Sequence, residues 1–237
     1  MRPYGYSTGA VAFGDFREAL RILSAHPLQA IELSALRSAE LPDLLEALDG
    51  LDLERFEHVS LHAPSSFAPD EEPGIVKALA ATSASLPVVV HPDAIDSIDR
   101  WRSLGRRVLI ENMDRRKSRG RTAEDLALFF AALPEAGLCF DVGHARQVDS
   151  SMTEAHSILD RFGDRLRELH VSSVGSDSRH YRLDFPTFEA CRELRHGLPE
   201  SVPVIIESRV EESEVADELR RVREALAPVE VAVAAAG

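Results

Sequence analysis

The stretch "RVLIENMD", Arg107–Asp114, changes from apolar to ionic within four residues. Its Val-Leu-Ile run is typical of a buried strand, yet Glu111 and Asn112 follow at once. A carboxylate at the end of a buried strand costs free energy unless a metal, a base or a substrate meets it. The stretch therefore predicts a buried strand that delivers Glu111 to a functional site.

The same pattern recurs along the chain. Short β-rich runs alternate with amphipathic helical stretches, which is typical of repeated βα units around a parallel sheet. The predicted strands are Pro3 to Tyr6, Ala30 to Leu33, His58 to His62, Pro87 to His91, Arg107 to Glu111, Leu138 to Asp141, Leu166 to His170 and Pro203 to Glu207. Eight βα units favour a closed (β/α)8 barrel, an α/β fold, with an open doubly wound sheet as the alternative.

Helix starts are predicted between these strands. The segments "TAED" at Thr122 and "SMTE" at Ser151 have the Ser/Thr-x-x-acid spacing of a capping box. The tail from Val229 is expected to form a last helical or extended appendage.

The composition indicates one compact protein. A length of 237 residues with 44% hydrophobic residues suits a single domain over residues 1–237. Two cysteines without metal-binding spacing, and an N-terminus without an apolar signal segment, predict a cytoplasmic protein. The net charge of -13 argues against non-specific binding of nucleic acid or another polyanion by the whole surface, although a local basic cleft stays open.

Metal-ligating residue types close six consecutive predicted strands. In a βα barrel, the carboxyl ends of the strands converge on one face, where active sites lie. Imidazole and carboxylate are the ligands that zinc, manganese, iron and cobalt take. The strand-closing residues are His62, His91, Glu111, Asp141, His170 and Glu207, and His144 follows shortly after Asp141. The pattern predicts a divalent metal site on this face.

Six short motifs, "HAP", "VHPD", "IEN", "FDVGH", "LHVS" and "IIES", occur in that order over nearly the whole chain. In this the sequence resembles the xylose isomerase-like TIM barrels, a family that includes sugar isomerases, epimerases and endonuclease IV. The resemblance implies a single (β/α)8 barrel with its active site at the carboxyl ends of the strands. It implies that Glu111, Asp141, His170 and Glu207 are the shared metal ligands. It also implies further ligands of a three-metal cluster in His62, His91, His144 and His180, and thus one to three metal ions per chain.

The chain departs from this family in one motif. The endonucleases have Asp-Arg-His where this chain has Ser178, Arg179 and His180, with Asp177 displaced by one residue. Serine is a poor ligand for a hard divalent cation. The third metal site therefore depends on whether Asp177 reaches in from its loop.

Arginines follow several predicted strand ends. Arg115 and Arg116 open a strongly basic segment after Glu111, and Arg146, Arg179 and Arg209 also follow strands. Arginine favours bidentate contact with phosphate or carboxylate, so these residues are predicted to bind a small anionic, phosphorylated substrate. The alternative is that they are solvated and balance nearby acidic residues. A separate open question is whether Glu32 contacts the substrate or supports another site residue.

Two chemistries compete most closely at the predicted site. The first is a sugar or sugar-phosphate isomerase or epimerase, in which the resemblance implies that Glu111 and Glu207 also supply the catalytic acid and base. The alternative is an endonuclease IV-like multinuclear phosphodiesterase or phosphatase, which the additional histidines favour. The acidic surface and the short loops favour a small substrate, which places the isomerase first. An iron oxygenase acting on a peptide and a barrel that binds without turnover rank lower.

Overall fold

The structure is a computed structural model that describes residues 2–228, so the tail from Val229 lies outside the described residues. Its strands are β1 (Tyr4–Ser7), β2 (Ala30–Ser34), β3 (His58–His62), β4 (Val88–Val90), β5 (Val108–Glu111), β6 (Gly137–Asp141), β7 (Leu166–Val171), β8 (Ser173–Val174), β9 (His180–Tyr181) and β10 (Val204–Ile206). All the predicted strands are confirmed, with ends that shift by at most one residue.

Eight of these strands close into a parallel barrel in the order β1-β10-β7-β6-β5-β4-β3-β2. The strand β1 pairs with β10 on one side and with β2 on the other, so no edge is left open. The closed barrel is therefore confirmed and the open doubly wound sheet is wrong. The two remaining strands, β8 and β9, form a small antiparallel hairpin after β7, which brings His180 to the carboxyl face of the barrel.

Helices follow the barrel strands, as in the predicted βα units. They are α1 (Thr8–Ala12), α2 (Phe16–Leu23), α3 (Leu41–Ala47), α4 (Glu72–Ala80), α5 (Ile98–Trp101), α6 (Ala123–Ala132), α7 (Val142–Val148), α8 (Thr153–Phe162), α9 (Phe185–Leu194) and α10 (Val215–Ala225). Within residues 2–228, none of them is long and apolar enough to cross a bilayer.

One of the two predicted helix starts is confirmed. Thr122 is the N-cap of α6, and its hydroxyl accepts the Asp125 backbone N–H. The prediction for Ser151 is wrong, because α8 begins at Thr153 after Met152, which has a left-handed conformation. The Asp149 carboxylate accepts the backbone N–H of Glu154 and so takes the capping role predicted for the serine.

The barrel strands are buried on both faces, which explains their continuous Val-Leu-Ile runs. Apolar side chains on the outer face of the barrel pack against the helices in one large core. A small apolar cluster of Val89, Leu109 and Cys139 forms separately. Buried polar side chains, by contrast, gather towards the carboxyl ends of the strands, and these define the candidate site.

Candidate metal centre

All eight predicted metal ligands meet at the carboxyl end of the barrel. They fall into three overlapping sets, and within each set the ligand atoms lie within 4.8 Å of one another. The sets are His62, His91 and Glu111; Glu111, Asp141, His170 and Glu207; and Asp141, His144 and His180. Ligands separated by up to 145 residues in sequence are thus brought together by the ring of strand ends.

Glu111 lies at the centre of this cluster. Its Oε2 atom is 3.2 Å from Nε2 of both His62 and His91. Its Oε1 atom is 3.2 Å from Nδ1 of His144 and 3.5 Å from Nδ1 of His170. Each oxygen therefore faces a different group of histidines, an arrangement that suits a carboxylate bridging two cations.

The ends of β5 and β6 are locked together by Asn112. Its side-chain oxygen accepts the Asp141 backbone N–H at 2.7 Å, and its amide nitrogen donates to the Asp141 carbonyl at 2.9 Å. Asp141 is in turn the N-cap of α7, with one carboxylate oxygen accepting the His144 backbone N–H at 2.6 Å. The second oxygen of Asp141 is left free to face the cluster.

Hydrogen bonds to backbone carbonyls assign the tautomers of two histidines. His62 donates from Nδ1 to the Ala63 carbonyl at 2.6 Å, and His144 donates from Nδ1 to the Asn112 carbonyl at 3.0 Å. Because the Nδ1 atom donates to a carbonyl, Nε2 is the nitrogen of each ring that could bind a metal, and in His62 it lies 3.2 Å from Oε2 of Glu111.

The residues fit a divalent cation. Within residues 2–228, four buried atoms of the cluster lack any hydrogen-bond partner: Oε1 of Glu111, Oδ2 of Asp141, Nδ1 of His170 and Oε2 of Glu207. Buried polar atoms are otherwise almost always paired, so unpartnered atoms that converge on one point call for a cation. Glu111, Asp141, His170 and Glu207 form a single ligand set, in which each residue offers one atom.

The electrostatics of the cluster point the same way. Burial, together with the negative charges of Glu207 and Glu111, raises the pKa of Asp141 to about 7. Burial lowers the pKa of His62, but the carboxylates of Glu32 and Glu111 outweigh it and raise that pKa to about 9. Both shifts reflect the concentration of buried carboxylates in the site, whose charge a bound cation would offset.

A pocket with a volume of about 220 Å³ opens above the cluster. Pockets for drug-sized ligands have about 300–1,000 Å³, so this one suits a smaller molecule. Its lining includes ligands of the cluster, the hydroxyls of Ser7, Ser34, Ser65 and Ser178, the carboxylate of Asp114 and the cationic side chains of Lys117 and Arg209.

The predicted substrate-binding arginines occupy different places. Arg209 lines the pocket and lies over the Phe13 ring, with 5.2 Å between the guanidinium carbon and the ring centroid. The others do not line it. Arg146 donates to Thr187 and Asp184, Arg116 donates to the Asp177 carbonyl, Arg179 lies 3.6 Å from the Asp177 carboxylate, and the Arg115 backbone N–H donates to Gln147.

The expected role of Asp177 does not match its position. Its carboxylate is exposed and accepts hydrogen bonds from the Tyr181 hydroxyl and the Arg179 backbone N–H. Ser178 lies at the pocket instead, and its hydroxyl donates to Asp114 at 2.5 Å. The buried carboxylate nearest to Ser178 is therefore supplied by the loop after β5.

Sequence reasoning missed Asp114 and Glu168. Asp114 lies three residues after Glu111, so its position behind a strand end was a usable signal. Lys117 belongs to the basic segment that was expected on the active face, and it lines the pocket. Glu168 is completely buried and contacts His170. The usable signal for Glu168 was its place two residues before the predicted ligand His170 on the same strand, because alternate residues of a strand point to the same face. The structure also answers the question about Glu32, which is buried below the pocket and faces His170.

Comparison with known proteins identifies the fold. Solved structures similar to this chain include a protein from Anabaena variabilis, provisionally named a sugar phosphate isomerase/epimerase, with 14% identity, a TM-score of 0.54, and coverage of 93% of this chain and 88% of that one. An uncharacterised protein from Parabacteroides distasonis has 14% identity and a TM-score of 0.59, with 94% and 98% covered. The chain is a TIM barrel.

The protein named SacUVDE is also similar, with 12% identity, a TM-score of 0.51, and coverage of 94% of this chain and 99% of that one. No model of a known protein family matches the sequence, and no curated protein does. At these identities the likenesses concern the TIM barrel alone, so its function has to be argued from the site.

Proposed function

We propose that this TIM barrel is a divalent-metal-dependent isomerase or epimerase of a small anionic sugar, with a sugar phosphate as the preferred class. The observation that carries the proposal is the placement of Glu111 and Glu207. These carboxylates come from β5 and β10, which are three places apart in the ring of eight strands, yet their ligand atoms lie within 4.8 Å of each other. They therefore approach one point from different sides of the barrel.

Two carboxylates around one point suit proton transfer at carbon. Burial opposes ionisation of Glu207, but the adjacent His170 and His180 keep its pKa well below its usual value. His91, His144 and His170 likewise lower the pKa of Glu111 against the effect of burial. Both groups are therefore ionised at neutral pH and able to accept a proton.

The remaining pocket residues account for binding and orientation. A metal held by Glu111, Asp141, His170 and Glu207 would polarise the carbonyl and adjacent hydroxyl of a bound sugar. In an isomerase, Glu207 would remove a proton from one carbon and return the same proton to the neighbouring carbon. In an epimerase, Glu207 would keep the proton it removes, and Glu111 would pass a proton taken up from solvent to the opposite face of the carbon. Arg209 and Lys117 bind the anionic group, and the serine hydroxyls bind sugar hydroxyls.

The size of the pocket supports a small substrate. A volume of about 220 Å³ accommodates a single sugar more readily than a polymer. The net charge of -13 also disfavours approach to a nucleic acid.

Solvent deuterium exchange tests this function directly. The metal-loaded protein is incubated in D2O with a panel of sugars and sugar phosphates, and incorporation at carbon is followed by NMR. We expect incorporation with at least one sugar phosphate and its loss in Glu207→Gln, which keeps the shape of the side chain but removes the base. An absence of exchange across the panel, or an unchanged rate in Glu207→Gln, would contradict the proposal.

One observation favours a second candidate, a multinuclear phosphoesterase. His62 and His91 both face the Glu111 oxygen that points away from His170, so a second cation could share this carboxylate. Paired cations activate water and stabilise the leaving oxygen in phosphoester hydrolysis. Cleavage of bis(p-nitrophenyl) phosphate or of an abasic-site oligonucleotide, without deuterium exchange, would select this candidate over the isomerase.

A further inference from the structure

Two fully buried carboxylates lie inside the barrel below the pocket. Glu32 on β2 and Glu168 on β7 are both 0% exposed, and neither lines the pocket. The interior of a TIM barrel is normally filled by branched apolar side chains. A buried carboxylate without a partner would cost several kcal/mol, so these two need a specific role or a specific compensation.

Glu168 is held between two imidazoles. Its Oε1 atom is 2.9 Å from Nε2 of His170, and its Oε2 atom is 2.5 Å from Nε2 of His58. Glu32 approaches the same His170 nitrogen, with its Oε2 at 3.3 Å. Because an ionised carboxylate only accepts hydrogen bonds, the proton of His170 must lie on Nε2.

The opposite nitrogen of His170 faces the metal cluster. Its Nδ1 atom lies 3.5 Å from Oε1 of Glu111 and 3.5 Å from Oε2 of Glu207, and it has no hydrogen-bond partner among the described residues. The ring therefore has one nitrogen that donates into the barrel interior and one that faces the pocket, where a metal could take the place of its proton.

We propose that Glu168 is a positioning residue that holds His170 in the Nε2–H tautomer and directs its Nδ1 lone pair to the metal, with His58 orienting Glu168. The inference rests on the proposed function only in requiring a bound divalent cation. It concerns a residue that touches a ligand and not the substrate.

His170 differs in this respect from two other histidines of the cluster. His62 and His144 donate from Nδ1 to neutral backbone carbonyls and present Nε2. His170 donates from Nε2 to a charged carboxylate and presents Nδ1. A carboxylate behind the ring makes an imidazole a stronger donor, so His170 is the histidine whose binding depends most on its support.

A variant pair separates positioning from simple structural support. Glu168→Gln keeps the size of the side chain but removes the charge. Glu72→Gln is the matched control, because Glu72 is equally buried and accepts hydrogen bonds from Trp101 and from backbone N–H groups far from the cluster. The affinity of the full-length protein for Co2+ is measured from its visible absorption, and thermal midpoints are measured alongside.

We expect both variants to lower the thermal midpoint, and only Glu168→Gln to weaken Co2+ binding, by about 10- to 100-fold. His58→Gln serves as a second variant, because it reaches the cluster only through Glu168; its affinity loss is expected to be smaller and in the same direction. Co2+ affinity that stays at the wild-type level in both Glu168→Gln and His58→Gln would overturn the inference.

The tautomer is read independently by NMR. Long-range 1H–15N correlation of the Zn2+-loaded wild-type protein should show His170 protonated on Nε2 and metal-bound through Nδ1. Metal on Nε2 would overturn the inference. None of these measurements uses turnover, so an inactive protein that binds Co2+ in this way would refute the isomerase proposal alone, whereas a wild-type protein that binds no divalent cation would refute both.

Discussion

At the scale of single residues, only one of the five arginines predicted to bind the substrate lines the pocket. Arg209 lines the pocket and is held over the Phe13 ring, whereas Arg146 is directed towards Thr187 and Asp184. Stacking on an aromatic ring restricts the guanidinium, so less entropy is lost when it binds an anion. Arg209 is thus the residue expected to determine the preference for an anionic substrate.

Replacing this residue tests the preference. Arg209→Ala is expected to raise KM for a phosphorylated substrate by about 10- to 100-fold, the loss expected for a hydrogen bond to a charged group. Its kcat should change much less, because the side chain contacts the anionic group and not the reacting carbon. Arg192→Ala is the control, since Arg192 pairs with Glu189 on the surface of α9. Equal effects of both variants in steady-state kinetics would rule out a specific anion contact.

Ser178 occupies the position at which the resemblance implies an aspartate. Its backbone has a φ of 58°, a conformation that Asp and Asn tolerate well. Its hydroxyl donates to the buried Asp114, so an aspartate here would bring two carboxylates together. Such a pair is unfavourable without a cation and favourable with one.

Ser178→Asp is therefore expected to lower the thermal midpoint of the metal-free protein and to raise its metal content. The additional cation would be held with His144 and His180, which share a ligand set. Elemental analysis after reconstitution measures the content. The uncharged Ser178→Asn should leave it at the wild-type level, and an equal rise in both variants would show that charge is not the cause.

At the scale of the elements, Glu72 at the start of α4 ties this helix to the segment around α5. Its buried carboxylate accepts the Trp101 indole N–H at 3.0 Å and the Asp96 backbone N–H at 3.0 Å, and it pairs with Arg100. Burial raises the pKa of Glu72, but these hydrogen bonds outweigh it and lower the pKa below its ordinary 4.5. The ionised form is therefore favoured by folding.

This shift predicts a pH dependence of stability. A lowered pKa contributes stability that is present above pH 4.5 and is lost as the pH falls through the folded-state value. Glu72→Ala should remove this dependence and cost about 1–3 kcal/mol for each buried donor left without an acceptor. Urea unfolding from pH 7 to pH 3 measures both effects. The control Glu71→Gln, which changes an exposed neighbouring residue, should keep the loss of unfolding free energy at low pH that Glu72 causes.

At the scale of the whole molecule, a cation bound by the candidate ligand cluster is expected to determine much of the thermal stability. Carboxylates of Glu111, Asp141 and Glu207 converge in one buried space, and a bound cation would neutralise them. A ligand present at 100 times its dissociation constant adds about 2.7 kcal/mol, which corresponds to about 5–10 °C in a protein of this size.

Removing the metal should lower the thermal midpoint by this amount. Calorimetry of protein purified without chelator, before and after treatment with dipicolinate, measures the shift. Dipicolinate should change the thermal midpoint of the Asp141→Asn variant only slightly, because this variant already lacks one carboxylate of the main ligand set. The number of ions released per chain also bears on function: one ion favours the isomerase, and two or three favour the phosphoesterase.

Most of the fold and the ligand types could be predicted from the sequence, for local reasons. Repeated βα units with apolar strands require a parallel sheet that is covered by helices, and few folds provide this. Once the strands are located, the barrel rule places their carboxyl ends on one rim, so His62, Glu111 and Glu207 were expected to lie together. The capping role of Asp149 could not be predicted in the same way, because it depends on the left-handed conformation of Met152 and not on residue spacing alone.

By itself, then, the sequence determined the barrel and the residues that close its strands, because both follow from alternation along single strands. Only the tertiary structure decided which side chains reach the pocket and which nitrogen each histidine presents. The contact between Glu168 and His58 joins residues 110 positions apart. The conformation of a loop, such as the one that carries Lys117 or the one that carries Asp177, depends on packing between elements that are distant in sequence. A short stretch of sequence does not determine that packing.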